Sequence, residues 1–173
     1  MSLILGVDPG SRKTGFGIIN VVGDSHEYIT SGVIRLPVDE PLPRRLQVLC
    51  QSLTELIELH CPQQVAVEEV FMAKNASAAL KLGQARGAAI AACVALDLAV
   101  AEYTARQIKQ AVVGTGAANK EQVQHMVKVL LKLPALPQED AADGLAAAIC
   151  HANTRASLVN LAGVTKIRRG RMR

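Results

Sequence analysis

Four carboxylates in this 173-residue chain stand where a globular protein normally places none: Asp8, Glu68, Asp140 and Asp143. Asp8 closes the apolar run Leu3-Ile4-Leu5-Gly6-Val7, and Glu68 closes Val65-Ala66-Val67. Asp140 and Asp143 lie three apart in a stretch that is otherwise mostly alanine, glycine and leucine. Carboxylates are rarely buried unless they are paired or hold a metal. Four converging acids repel one another, so a bound cation is what makes the arrangement tolerable. Oxygen-only ligands suit Mg²⁺ or Mn²⁺. Two such ions, ~3.5–4 Å apart, serve both oxygens of an in-line displacement. The chemistry expected is hydrolysis of a phosphodiester.

Each residue also has a plainer reading. Asp8 precedes Pro9-Gly10, and an Asp there is commonly a turn former. Glu68 and Glu69 are adjacent, so in a strand they face opposite sides. Only one of them can join Asp8, and periodicity does not choose. Asp140 and Asp143 share one helix face. Asp140 also falls in the first helical turn after Pro137, where a capping role alone would explain it. Lys109 and Lys120 precede the acidic pair and could stabilise charge on a transition-state phosphate, or be two solvated lysines. Arg12, Lys13, Lys74, Lys81 and Arg86 are candidates to neutralise DNA phosphates, though each is individually an ordinary surface charge. Phe71 is conspicuous because aromatics make up 2% of the chain. Beside Lys74 it could unstack a base, or be a core side chain.

The elements that must position these residues follow from pattern. Strands are expected at 3–8, 14–22 and 27–36, forming an antiparallel meander. A helix at 44–60 ends at Pro62, and a short strand follows at 65–70. After a loop at 71–75 come a helix at 76–96, a strand at 98–103 and helices at 105–113, 119–132 and 138–153. The order βββ-α-β-α-β-α-α-α describes an α/β fold, one mixed sheet flanked by helices. Its crossovers require parallel pairing of the later strands. One domain is expected over 1–156, followed by a flexible basic tail at 157–173.

Composition narrows the class. The chain is long enough for one full core, and half its residues are hydrophobic. The net charge is +4, but five positive charges lie in the final Lys166–Arg173 segment; without them 14 basic residues face 15 acidic ones. Between Phe71 and Leu133 there are eight Lys or Arg against three acids. A basic middle and tail suit a polyanion partner. Cys50, Cys61, Cys93 and Cys150 show no zinc spacing and read as small core residues in a reducing compartment. Neither a signal peptide nor a membrane-length apolar run is expected, so the chain reads as cytoplasmic. Gly114-Thr115-Gly116 lacks the third glycine of a dinucleotide loop, and the four histidines show no metal spacing.

Three segments carry a specific resemblance: ILGVDPGSRKTGFGI (4–18), VEEVFMAKNASAALKLGQARGA (67–88) and EDAADGLAAAICH (139–151). With TARQIKQAVVGTGAANKEQVQHMV (104–127), they closely resemble the bacterial RuvC family, the Holliday junction resolvases. The resemblance implies an RNase H-like fold, with three antiparallel strands and two parallel ones. It implies a homodimer that nicks opposed strands of a four-way junction symmetrically, with Mg²⁺ or Mn²⁺, in recombination and DNA repair. It implies the RuvA–RuvB branch-migration complex as partner. By motif match the catalytic and metal-binding acids fall on Asp8, Glu68, Asp140 and Asp143, which selects Glu68 over Glu69. The functional lysines fall on Lys109 and Lys120, and a loop phenylalanine that handles bases falls on Phe71. The helix at 76–96 resembles the family's dimer helix. Glu69 stands where glutamine is familiar. Gly144 stands where alanine is common and is expected to loosen its helix slightly.

Two other readings remain. An actin-like ATPase or sugar kinase shares the sheet, but needs a second large lobe and lacks the Asp140/Asp143 pair. A non-catalytic junction-binding scaffold gains nothing from buried, mutually repelling acids.

Overall fold

The computed structural model of the chain describes residues 2–69 and 75–170, with side-chain surroundings through Leu158 and Val159. Strands β1 (Ser2–Asp8), β2 (Lys13–Val22) and β3 (Ser25–Arg35) form the antiparallel meander. Helix α1 (Leu42–His60) carries the chain to β4 (Gln64–Glu69), and α2 (Ala76–Val94) carries it to β5 (Ala99–Thr104). Both later strands pair in parallel, and the sheet order is β3-β2-β1-β4-β5. Helices α3 (Ala105–Val113), α4 (Lys120–Leu130) and α5 (Glu139–Gly170) complete the fold. The element order is the one expected, and β1 lies at the centre of the sheet.

Strand parity divides the core in two. Leu5, Val7, Ile18, Val65 and Val67 face α1 and α2, where they meet Leu49, Leu53, Ala85 and Ala89. Ile4, Ile19, Ala66 and Tyr103 face α3, α4 and α5. The α5 face is built from small residues. A Cβ on Gly6 would strike the carbonyl of Gly144, and one on Gly15 would strike the carbonyl of Asp140. A Cβ on Gly144 would lie 2.6 Å from the backbone of Phe16. The start of α5 therefore rests on the backbone of β1 and β2. Gly144 is a contact point of this seat.

A second anchor lies three turns along. His151 is buried and hydrogen-bonds the Tyr103 hydroxyl through Nδ1 at 2.8 Å and Gln64 Oε1 through Nε2 at 2.7 Å. The Gln64 carbonyl oxygen can only accept, so Nε2 carries the proton and Nδ1 accepts from Tyr103. Burial, then the charge of Arg155, lowers the His151 pKa and favours this neutral form.

Two expectations change. α5 does not end near residue 153 but continues to Gly170. No proline interrupts it, and Thr154 and Ser157 bond back to the carbonyls of Cys150 and Asn153 within the helix. Cys93 and Cys150 are buried as expected, but Cys61 is exposed, and all four cysteines are free. Cys61 sits in the left-handed conformation at φ 49° because Pro62 prevents another helical turn. Among the described residues, no helix is long and apolar enough to cross a membrane.

The seat generates a prediction. Gly15→Ala must separate α5 from β2, so urea unfolding should show a loss of about 1–3 kcal/mol, the usual cost of overpacking. An unchanged midpoint would mean that the helix does not rest on this strand.

Candidate active site

Asp8 ends β1, and Glu68 lies beside it near the end of β4. The register pairs Val7 with Val67, which makes the two acids neighbours across the parallel ladder. Asp8 shares parity with Ile4 and Gly6, and Glu68 shares parity with Ala66. Both therefore face α5, and Glu69 faces the other side with Val65 and Val67. The loop between Asp8 and β2 is closed by Thr14, which is fully buried. Its hydroxyl accepts from the Gly10 amide at 3.2 Å and donates to the Gly10 carbonyl at 3.5 Å.

The helix starts deliver the other groups. Thr104 and Gln107 form a capping box that begins α3, which carries Lys109. Asn119 and Gln122 form a second box, placing Lys120 in the first turn of α4. Asp140 and Asp143 lie in the opening turns of α5. A cavity of about 190 Å³ is lined by Asp8, Glu68, Asp143, Lys109 and Lys120, with Ile108 and Val123 as apolar wall. That is room for a few waters or ions. A wider hollow of about 720 Å³ borders β3, but its acids, Asp24 and Glu27, are exposed.

The electrostatics match the crowding. Burial, followed by repulsion from Glu68 and Asp143, raises the Asp8 pKa from 3.8 to about 8. Burial, then Asp143, raises Glu68 to about 7, against the pull of Lys120 and Lys109. Asp143 is also raised, chiefly by burial. Lys120 is held in its charged form. Lys120 donates to Glu139 at 2.6 Å and lies 3.6 Å from Asp143. The bond to Glu139 is the main cause of its pKa rising to about 12.

Asp140 is placed differently. Its carboxylate takes Lys13 Nζ at 2.5 Å. It lies beside the cavity rather than in its wall, and its charge reaches Asp8 and Asp143 as a smaller repulsion. Asp140 does lie in the first turn of α5, as the helix-dipole explanation requires, so that role stands beside its ion pair. Lys13, expected on DNA, pairs with Asp140, and Glu139 pairs with Lys120, so both border this cluster. Opposite charges at strand and helix starts gave no sequence signal, because contact across 127 residues depends on the fold.

Other expected residues are dispersed. Arg12 and Lys81 are exposed. Arg86 pairs with Glu102, and its Nε is buried without a hydrogen-bond partner among the described residues. Phe71 and Lys74 lie outside the described residues. No three His, Cys, Asp or Glu side chains among the described residues stand together as a ready metal-binding group. The donor set is nonetheless all oxygen, half-buried and short of positive charge at Asp8 and Glu68, which fits a hard divalent ion.

Comparison with known proteins decides the class. The family described as crossover junction endodeoxyribonuclease RuvC matches residues 4–151. The chain belongs to the RuvC family. Crossover junction endodeoxyribonucleases RuvC of Saccharophagus degradans and Teredinibacter turnerae are 60% and 61% identical to it, each over 99% of both chains. A structure of Thermus thermophilus RuvC in complex with Holliday junction substrate superposes with a TM-score of 0.85. It is 32% identical and covers 90% of this chain and 95% of its own. The fold is thus RNase H-like, and this RuvC family member is a metal-dependent endonuclease of DNA recombination and repair.

The raised carboxylates predict a pH dependence. Asp8 and Glu68 hold protons more tightly folded than unfolded. Their contribution to stability is complete below the ordinary carboxylate range and is lost as pH rises through about 7 and about 8. Melting temperature measured in chelator should therefore fall by several degrees between about pH 5 and about pH 9. Asp8→Asn should flatten that slope; an equally steep slope in the variant would place the titration elsewhere.

Proposed function

We propose that this chain resolves four-way DNA junctions by paired, symmetrical nicks in opposed strands. The observation that carries the reading is the single cavity where two strand-end acids meet Asp143 and two lysines, in a chain of the RuvC family. Asp8, Glu68, Asp140 and Asp143 would hold Mg²⁺, or Mn²⁺ in its place, at two ions per site. Such ions, when bound, activate the attacking water and stabilise the leaving 3′ oxygen. Asp8 and Glu68 must lose their protons to serve as ligands, so metal binding releases protons and is favoured by rising pH. Lys109 and Lys120 bring positive charge to the cavity where a scissile phosphate would gain negative charge. Ile108 and Val123 keep part of its wall apolar, which strengthens these interactions.

Arg12, Lys13, Lys81 and Arg86, with Lys74, supply sequence-independent contacts to the DNA backbone. Phe71 acts as an apolar wedge at the junction centre. Two symmetrical nicks require two active sites, hence a homodimer. Helix α2 offers a face for it: Leu80, Gly83, Gln84, Gly87, Ala91 and Val94 are exposed on one stripe, and Ala85, Ala89, Ala92 and Cys93 are buried behind it. Leu80 is 70% exposed and Val94 54%. The small residues between them permit close helix–helix approach. The RuvA–RuvB complex is the expected partner, and the cytoplasm the expected setting.

A synthetic four-way junction with Mg²⁺ tests the activity. The wild-type chain should give paired nicks on opposed strands, and Asp8→Asn should bind the junction with nicking reduced by at least about a thousandfold. Binding without nicks by the wild type would support a scaffold instead, and ATP turnover without nicks a kinase-like enzyme. Leu80→Glu should convert the dimer to monomer in sedimentation and uncouple the two nicks. A stable dimer in that variant would exclude the α2 face.

A further inference from the structure

Lys13 and Asp140 form an ion pair at the mouth of the carboxylate cluster. Lys13 opens β2 and Asp140 lies in the first turn of α5, so the pair bridges the seat of the helix. The lysine side chain is 51% exposed and the aspartate 13%. The contact takes Oδ2 of Asp140, an atom that the cluster would otherwise offer to a metal. Among the described residues the acids do not form a ready metal-binding group, and Asp140 is the member outside the cavity wall.

We propose that Lys13 is a tethered counter-ion that competes with the divalent metal for Asp140, so that metal entry releases Lys13 towards the DNA backbone. The inference rests on the reading of the four acids as metal ligands. Its physical basis is a difference in valence. An ammonium satisfies one carboxylate oxygen with a single positive charge. A divalent ion carries twice that charge and is shared among several carboxylates at once. An ion pair whose lysine is half-exposed is weak enough to be exchanged. Once displaced, the ammonium remains on its flexible stem beside exposed Arg12, where a strand phosphate can take it.

Metal and DNA then favour each other's binding. Phosphate that captures Lys13 frees Asp140 for metal, and metal that captures Asp140 frees Lys13 for phosphate. Linkage requires the two effects to be equal in size. Lys13 is a positioning residue in this scheme, because it acts through Asp140. It differs from Lys120, which is held mainly by Glu139 and can keep that partner whatever Asp143 binds.

Mn²⁺ binding to the DNA-free protein, followed by the paramagnetic resonance signal of the free ion, reads this directly. Lys13→Met should bind Mn²⁺ about two- to fivefold more tightly than wild type, the range set by a weak ion pair. Lys13→Arg should stay near wild type, because it keeps the competing charge. Equal or weaker binding by Lys13→Met would overturn the proposal. Asp8→Asn separates the two readings. If it weakens Mn²⁺ binding while Lys13→Met matches wild type, the acids bind metal and only the role of Lys13 is wrong. If Asp8→Asn binds like wild type, the metal reading fails and the proposal falls with it.

Discussion

Everything at the site depends on how closely α5 approaches the sheet. Its opening turns carry Asp140 and Asp143, and a helix packed on ordinary side chains would hold them well above Asp8. Glycines remove that layer. Gly6, Gly15 and Gly17 leave β1 and β2 without side chains where the helix lands, and Gly144 removes the matching side chain from the helix. Contact is then backbone against backbone. The arrangement trades dispersion contacts for position, and the loss is recovered further along, where Leu145 and Ile149 are fully buried. The Tyr103–His151–Gln64 chain fixes the same helix about 16 Å beyond Asp140, from a rise of 1.5 Å per residue. Two separated anchors leave α5 little freedom to slide or turn, so the acids inherit a defined place.

Burial makes those acids costly. Raising Asp8 to about 8 and Glu68 to about 7 means that charging them in the folded protein costs on the order of several kcal/mol, at about 1.4 kcal/mol per pKa unit. The surrounding lysines offset only part of this. Lys120 is shared with Glu139, and Lys13 is held at Asp140. Lys120 is thus drawn towards exposed Glu139 and Lys13 towards Asp140 outside the cavity wall, and Asp8 and Glu68 stay undercompensated. That gradient favours a small, mobile cation at the centre and explains why the lysines do not simply neutralise the site.

The fold was largely legible. Apolar runs, prolines and glycines marked ten elements in the correct order, because local propensity and the final packing agree. The end of α5 was misplaced because a basic composition was read as a frayed tail, although arginine and lysine are good helix formers. Cys61 was misplaced because residue type suggested burial while the adjoining Pro62 dictated a turn. The choice between Glu68 and Glu69 was left open by periodicity, yet a signal existed. The acid that faces α5 shares parity with Ala66, as Asp8 does with Gly6, and the opposite parity carries Val65, Val67, Leu5 and Val7. Small residues on one parity mark the face that receives a close helix. The ion pairs of Lys13 and Lys120 had no such signal, since nothing local links residue 13 to residue 140.

The same electrostatic asymmetry argues against a purely structural role for the cluster. A protein that only had to grip DNA would gain by replacing Asp8 and Glu68 with neutral residues, which would remove repulsion inside the fold and towards phosphate alike. Their parity, their register and the glycine seat instead bring them to the helix that carries two further acids. Basic side chains at Lys109 and Lys120 border the same cavity without forming a closed pair with either strand-end acid. Acids at the centre with lysines at the edge form a charge pattern suited to phosphoryl chemistry, in which a bound cation would supply charge at the reacting oxygens and the lysines would face the phosphate. The cost in stability is therefore tied to chemistry, and the helix seat is the feature that makes the cost unavoidable.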